Sequence, residues 1–215
     1  SYLKKLVGYL ITGDISEQCI FFLYGEGANG KSTFINLLFD LLGPYAHRAM
    51  HDLLMAGQFD RHPTELAALV GRRLVTCSEV ESERRWATQR LKELSGEKTV
   101  TARRMRQDPM TFKLECKIVV TANHKPETRD HTEAFWRRIR LIPFDRSIPA
   151  ASRNRHLNGE LKLELPGFLN LALEGCRIWQ DEGLGMPPEI VEAINEYRDH
   201  SDSIVRFIDE CCETG

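Results

Sequence analysis

The sequence predicts an α/β fold: a parallel sheet flanked by helices, organised around one glycine loop, with a β-hairpin insertion and C-terminal helices. Three observations predict it. A short apolar run (Ile20, Phe21, Phe22, Leu23, Tyr24) passes through Gly25-Glu26-Gly27-Ala28-Asn29-Gly30-Lys31-Ser32 into apolar residues at helical spacing (Phe34, Leu37, Leu38, Leu41, Leu42). Further strand-like runs at 73–78, 116–121 and 139–144 alternate with helical patterns. Residues 97–114 alternate around Gln107-Asp108-Pro109, which reads as a hairpin.

In chain order, residues 1–12 form an amphipathic helix (Tyr2, Leu3, Leu6, Tyr9, Leu10) ending at Gly13. The strand, loop and helix of residues 19–42 follow, and Gly43-Pro44 stops that helix. Residues 45–62 carry no clear pattern. Leu66, Leu69 and Val70 suggest a short helix over 63–70, and Gly71 leads into the strand that ends at Ser78-Glu79. A helix is expected over 84–94, stopped by Ser95-Gly96, and the hairpin leads to a strand delivering Asn123. After a short helix over 133–138 and the strand 139–144, a helix spans 161–179 with a break near Pro166-Gly167. Two acidic helical segments come after Pro187-Pro188, with Ile204, Ile208 and Cys211 on one face of the last.

The 215 residues suit one sizeable core, and 42% hydrophobic with 28% charged residues is ordinary for a globular domain. A net charge of −2 conceals a polar distribution: residues 84–106 hold eight bases against two acids, and residues 187–215 hold eight acids against two bases. The six cysteines form no C-x-x-C pair, which argues against a disulfide framework or zinc site and for a reducing, cytoplasmic compartment. No run approaches the roughly 20 apolar residues of a membrane span, and no signal-peptide pattern is present, so no membrane partner is expected. The abrupt start within a helix suggests a fragment of a longer chain.

The octapeptide Gly25–Ser32 satisfies G-x-x-x-x-G-K-S/T at every required position, with a strand before it and a helix after it. Glycines let successive backbone N–H groups turn toward phosphate oxygens, and the helix N-terminus adds partial positive charge. The expected ligand is a nucleoside triphosphate, ATP with Mg²⁺, bound by Gly25, Glu26, Gly27, Ala28, Asn29, Gly30, Lys31, Ser32 and Thr33. In this reading Lys31 takes the β- and γ-phosphates, and Ser32 takes the metal. Such a site needs an acid at the end of a neighbouring strand. Glu79 is the candidate for general base and metal contact, with Glu81 the weaker one. Asn123, at the end of an apolar strand, is either a turn residue or an amide that holds an attacking water. Arg137 and Arg138 are either a surface pair or guanidiniums that reach a neighbouring subunit's nucleotide. Lys98, Arg103, Arg104 and Arg106 lie in the hairpin, with Lys92 just before it; on charge alone they read as a solvated face, and they also suit contact with a nucleic-acid backbone. The hairpin has no tryptophan or tyrosine for base stacking.

Taken together, the chain resembles superfamily 3 helicases, closest to the helicase part of phage and plasmid primase-helicases and related to the poxvirus primase-helicase. The resemblance rests on the glycine loop followed by Gly43-Pro44-Tyr45, on Gly71-Arg72-Arg73-Leu74-Val75 through Ser78-Glu79, and on Leu91-Lys92-Glu93-Leu94-Ser95-Gly96. It also rests on Thr121-Ala122-Asn123-His124-Lys125-Pro126 and Phe135-Trp136-Arg137-Arg138-Ile139. It implies a P-loop NTPase of AAA+-like fold: residues 1–18 ending an N-terminal collar or linker, 19–150 the ATPase core, and 151–215 a helical segment leading toward a further domain. It implies a homo-hexameric ATP-dependent motor acting on single-stranded or forked DNA in replication, with a fused primase domain in the parent protein. Lys31, Glu79 and Asn123 would then act within one subunit, Arg138 and Arg137 across the interface, and the basic hairpin on DNA. Ser78 stands where many relatives carry a first acid, which concentrates that role on Glu79. The rivals are a P-loop small-molecule or nucleotide kinase and a non-enzymatic, nucleotide-controlled DNA-binding assembly module.

Overall fold

The computed structural model describes residues 1–57, 64–78 and 84–201. Among them, β1 (Ile20–Tyr24), β2 (Ala46–Arg48), β3 (Leu74–Ser78), the hairpin strands β4 (Thr99–Arg103) and β5 (Pro109–Lys113), β6 (Lys117–Ala122) and β7 (Ile139–Pro143) follow one another. The main sheet has the order β2-β3-β6-β1-β7, with every neighbouring pair parallel. The helices are α1 (Tyr2–Leu10), α2 (Lys31–Leu42), α3 (Thr64–Ala67), α4 (Thr88–Gly96), α5 (Glu133–Trp136), α6 (Leu157–Leu163), α7 (Leu165–Glu182) and α8 (Pro188–Ser201).

β1 lies between two strands and is apolar along its length because both of its faces are covered. Phe21 meets Tyr9 of α1 edge-on at 6.2 Å between ring centroids, whereas the next residue, Phe22, meets Trp86 at 5.7 Å. Successive side chains of a strand point to opposite faces, so these two contacts mark two distinct layers. On the first face α1 packs against α7 at backbone distance: a β-carbon on Gly8 would strike the Gly175–Cys176 backbone, and one on Gly175 would strike the Lys4 carbonyl. Trp179 closes this layer, its ring 4.8 Å from Tyr9 and its indole N–H donated to Glu17 Oε1 at 2.7 Å. Cys19, Cys77 and Cys116 are buried in or beside these strands.

Some boundaries differ from expectation. The helix expected over 84–94 starts at Thr88, because the chain before it is drawn into backbone pairing. Trp86 N–H donates to Glu127 O at 3.1 Å, Ala56 N–H to Arg85 O at 2.7 Å and Ala87 N–H to Leu54 O at 2.8 Å. These bonds seat the Trp86 ring between Phe22 and Phe135. The break expected near Pro166-Gly167 falls at Glu164, between α6 and α7, and Pro166 opens α7, where its missing N–H costs no helical bond. The helix expected over 63–70 is the single turn α3, and the one over 133–138 ends at Trp136. β2 falls in the stretch that had no clear pattern. Ile204, Ile208 and Cys211 lie outside the described residues.

Candidate functional site

The glycine loop leaves the C-terminal end of β1 and is tied to the segment after β7. Asn29 Nδ2 donates to Phe144 O at 2.8 Å, and Ile148 N–H donates to Ala28 O at 2.8 Å. Gly25 (φ +149°) sits so close to Phe144 that a β-carbon would strike its carbonyl, so this position is closed to other residues. Ala28 (φ +62°) and Gly30 (φ +90°) adopt left-handed backbone, which turns the loop back on itself before Lys31 starts α2. Alternating hand of this kind aims backbone N–H groups into a common concavity.

Lys31 is 7% exposed, and burial lowers its pKa. Its ammonium curls back across the loop and donates to Gly25 O, to Asn29 Oδ1 (3.2 Å) and to Asn123 Oδ1 (3.3 Å). Asn123 arrives from the end of β6, which pairs with β1 through Tyr24 and Ala122. Two elements far apart in sequence thus converge on one buried cation. Among the described residues its three acceptors are all neutral oxygens. Around it opens a cavity of about 690 Å³, with Ser32 and Asn36 of α2 on one wall and Thr76 and Ser78 of β3 on the other.

Sequence reasoning missed Arg48, at the end of β2, which also lines this cavity. Its guanidinium lies 4.4 Å over the Phe39 ring and donates Nη2 to Asn36 Oδ1 at 2.8 Å. No sequence signal marks it, because the strand that it ends is only three residues long.

The other predicted residues are distributed as follows. Ser78 ends β3 and lines the cavity, whereas Glu79 and Glu81 lie outside the described residues. Arg137 and Arg138 sit at the start of β7, which pairs with β1 in the register Ile20 with Ile139. The glycine loop leaves the other end of β1, roughly 15 Å away at 3.3 Å per residue. These arginines therefore do not join the loop within one chain. Arg138 folds onto its own helix, donating Nη1 to Ala134 O, with Nη2 against Gly96; burial, and then the Arg137 charge, lower its pKa. Arg137 is exposed. Lys98, Arg103, Arg104 and Arg106 are exposed on the hairpin, whose buried face is Val100 and Ala102. Arg103 Nε donates to Gln107 O at 2.9 Å, and Arg106 takes a left-handed φ of +57° at the tip.

The profile of a family of unknown function, DUF5906, matches residues 23–138, a span that includes the loop, Asn123, the hairpin and both arginines. A putative helicase of Acanthamoeba polyphaga mimivirus is 28% identical, covering 96% of this chain and 24% of its own length. Primase D5 of fowlpox virus is 27% identical, covering 66% of this chain and 18% of its own length. The chain thus spans about a quarter or less of these relatives. Among solved structures, the apo A form of the NrS-1 C-terminal region superposes with a TM-score of 0.69 at 16% identity. That match covers 94% of this chain and 46% of the other, a likeness of fold alone.

Proposed function

The chain belongs to DUF5906, a family of unknown function, and from that premise we propose that it is the ATP-hydrolysing motor core of a DNA helicase of superfamily 3, carried in a longer replication protein. One observation carries the proposal: a buried lysine ammonium spans the glycine loop and bonds to an asparagine delivered by the neighbouring strand. Relatives named as a helicase and a primase supply the class of work.

In this reading the loop N–H groups and the N-terminus of α2 receive the phosphates, and Lys31 exchanges its neutral acceptors for β- and γ-phosphate oxygens. Freed from Lys31, the Asn123 amide orients the attacking water. Ser32 and Glu79 would hold Mg²⁺, which would neutralise charge on the terminal phosphates, and Ser78 lines the same cavity as Ser32. Glu79 takes a proton from the water. Arg137 and Arg138 complete the site of an adjacent subunit in a homo-hexameric, AAA+-like ring. The exposed hairpin cations contact the backbone of single-stranded or forked DNA.

ATP turnover measured with and without single-stranded DNA tests this reading. DNA-stimulated phosphate release is expected, absent in Lys31→Ala. Turnover only with a small phosphate acceptor would instead identify a kinase, and nucleotide binding without turnover an assembly module. Arg137→Ala with Arg138→Ala should bind ATP without hydrolysing it, and mixing that variant with Glu79→Gln should restore some turnover. Neutralising Arg103 and Arg104 should flatten the salt dependence of DNA binding by about one to two in slope.

A further inference from the structure

Beside the nucleotide cavity, on the far side of His124, lies a second cavity of about 780 Å³. The two share His124, which lines both. Its walls are the loop after β6, the last residue of β1 (Tyr24) and the end of α8. The proposed ATPase does not use it.

Its lining is unusually rich in cationic and protonatable groups. Lys125 and Arg129 project from the loop, and His124, His131 and His200 stand around them. Among the described residues the one carboxylate in the lining, Glu127, is drawn to Arg85 at 3.4 Å. Lys125 carries the argument. It is half-buried, yet among the described residues it makes no hydrogen bond or salt bridge, and what holds it is aromatic. Its ammonium sits 4.7 Å from the Tyr24 ring centroid and 5.7 Å from that of Tyr197. Burial lowers its pKa, while Glu196 and Asp145 act more weakly in the opposite direction. A cation taken from water without a directly bonded counter-ion is costly unless a ligand supplies one.

The mounting is rigid. Tyr197 is buried; its hydroxyl accepts the Trp86 indole N–H at 2.8 Å and donates to Pro126 O. Thr128 and Asp130 close the far turn of the loop, with Asp130 N–H donated to Thr128 Oγ1 at 3.1 Å. The cations therefore project from a fixed frame, and Arg129 offers a planar fork suited to oxyanions.

We propose that this second cavity is an oxyanion site that binds phosphate groups, with Lys125 and Arg129 as its principal contacts. The faces that Tyr24 and Tyr197 turn toward Lys125 are occupied by it, which favours contact with phosphate over base stacking. Two sources share this chemistry: the backbone of a nucleic acid strand, and free phosphate leaving the neighbouring cavity.

Imidazole NMR shifts of the whole chain, titrated with inorganic phosphate and separately with a short oligothymidylate, test the proposal. The titrations are run in wild type and in Lys31→Ala, which silences the first cavity. Saturable shifts of His124, His131 and His200 are expected in both proteins with at least one probe, and the probe that binds identifies the source. Lys125→Gln combined with Arg129→Gln should weaken that binding about tenfold or more, whereas Lys125→Arg should retain it. No saturable shift in Lys31→Ala, or undiminished binding in the double variant, would overturn the site. Loss in the double variant without retention in Lys125→Arg would also count against it. ATP affinity, followed in parallel, should depend on Lys31 and not on Lys125 or Arg129. Absence of ATP binding in wild type would refute the ATPase reading and leave the phosphate titration to decide this one.

Discussion

Lys117, on β6, is 2% exposed, donates to the Thr12 carbonyl, and lies 5.0 Å over the Tyr9 ring. Burial, assisted by the nearby Arg73 charge, lowers its pKa to about 7. An unfolded lysine titrates near 10.4, so between these two values the unfolded chain holds the proton more tightly than the folded one. Stability must therefore rise with pH across that window, and the full cost of burying the charge is felt below about pH 7. At ~1.4 kcal/mol per unit the cost is about 4 kcal/mol at pH 7 and roughly 2 kcal/mol at pH 9. Lys117→Met keeps the aliphatic stem and removes the ammonium. The loss of the bond to Thr12 O shifts the variant by a constant, but only the wild type carries the slope. Urea unfolding at pH 7, 8 and 9 should show wild-type stability gaining about 2 kcal/mol on the variant. Parallel pH profiles for the two proteins would refute the assignment of a neutralised lysine at this position.

Three further outcomes are expected. Gly25→Ala forces a β-carbon toward the Phe144 carbonyl in a backbone region other residues avoid; it should cost about 1–3 kcal/mol in thermal unfolding and weaken nucleotide binding together. Gly175→Ala drives a side chain into the Lys4 carbonyl and should separate α1 from α7, lowering stability by more than ~2 kcal/mol, with faster hydrogen exchange confined first to α1. Tyr197→Phe leaves the Trp86 indole N–H without its acceptor and should cost about 1–3 kcal/mol, read by denaturant unfolding followed on tryptophan fluorescence.

The sheet was legible wherever burial on both faces imposed a continuous apolar run, as in Ile20–Tyr24 and the Ile118-Val119-Val120 centre of β6. The glycine loop was legible because its backbone demands specific residue types, and the hairpin because Val100 and Ala102 alternate with exposed neighbours. β2 was not, since three residues are too few for a period to register. The start of α4 was misplaced for a different reason. Residues 84–87 have helical composition, but the chain gains more by fixing Trp86 against Phe22 and Phe135, a long-range packing choice no local window contains. The same holds for the site: Lys31 and Asn123 could each be named from sequence, but their hydrogen bond is a product of the β1–β6 register. Arg48 shows the converse, a cavity-lining cation whose neighbours give it no local signature.

The placement of the charged groups constrains how such a motor would assemble. The glycine loop stands at one end of β1, and Arg137 and Arg138 stand at the other end of the paired β7, with the sheet between them. A guanidinium held there cannot swing roughly 15 Å through a packed layer to its own loop, since the intervening Phe21, Phe22 and Leu141 are fully buried. Any role for these arginines in phosphate chemistry therefore requires a second copy that presents its β7 start to the first copy's loop. That contact joins two different surfaces of the same molecule, so it repeats head to tail, closing into a ring or continuing as a filament. Arg138 must also leave the Ala134 carbonyl to reach outward, whereas Arg137 is exposed as it stands. Of the two, Arg137 would therefore make first contact across such an interface, and Arg138 would engage once its own helix end had opened. Single substitutions separate them: Arg137→Ala should slow association of subunits, while Arg138→Ala should leave association intact and abolish turnover.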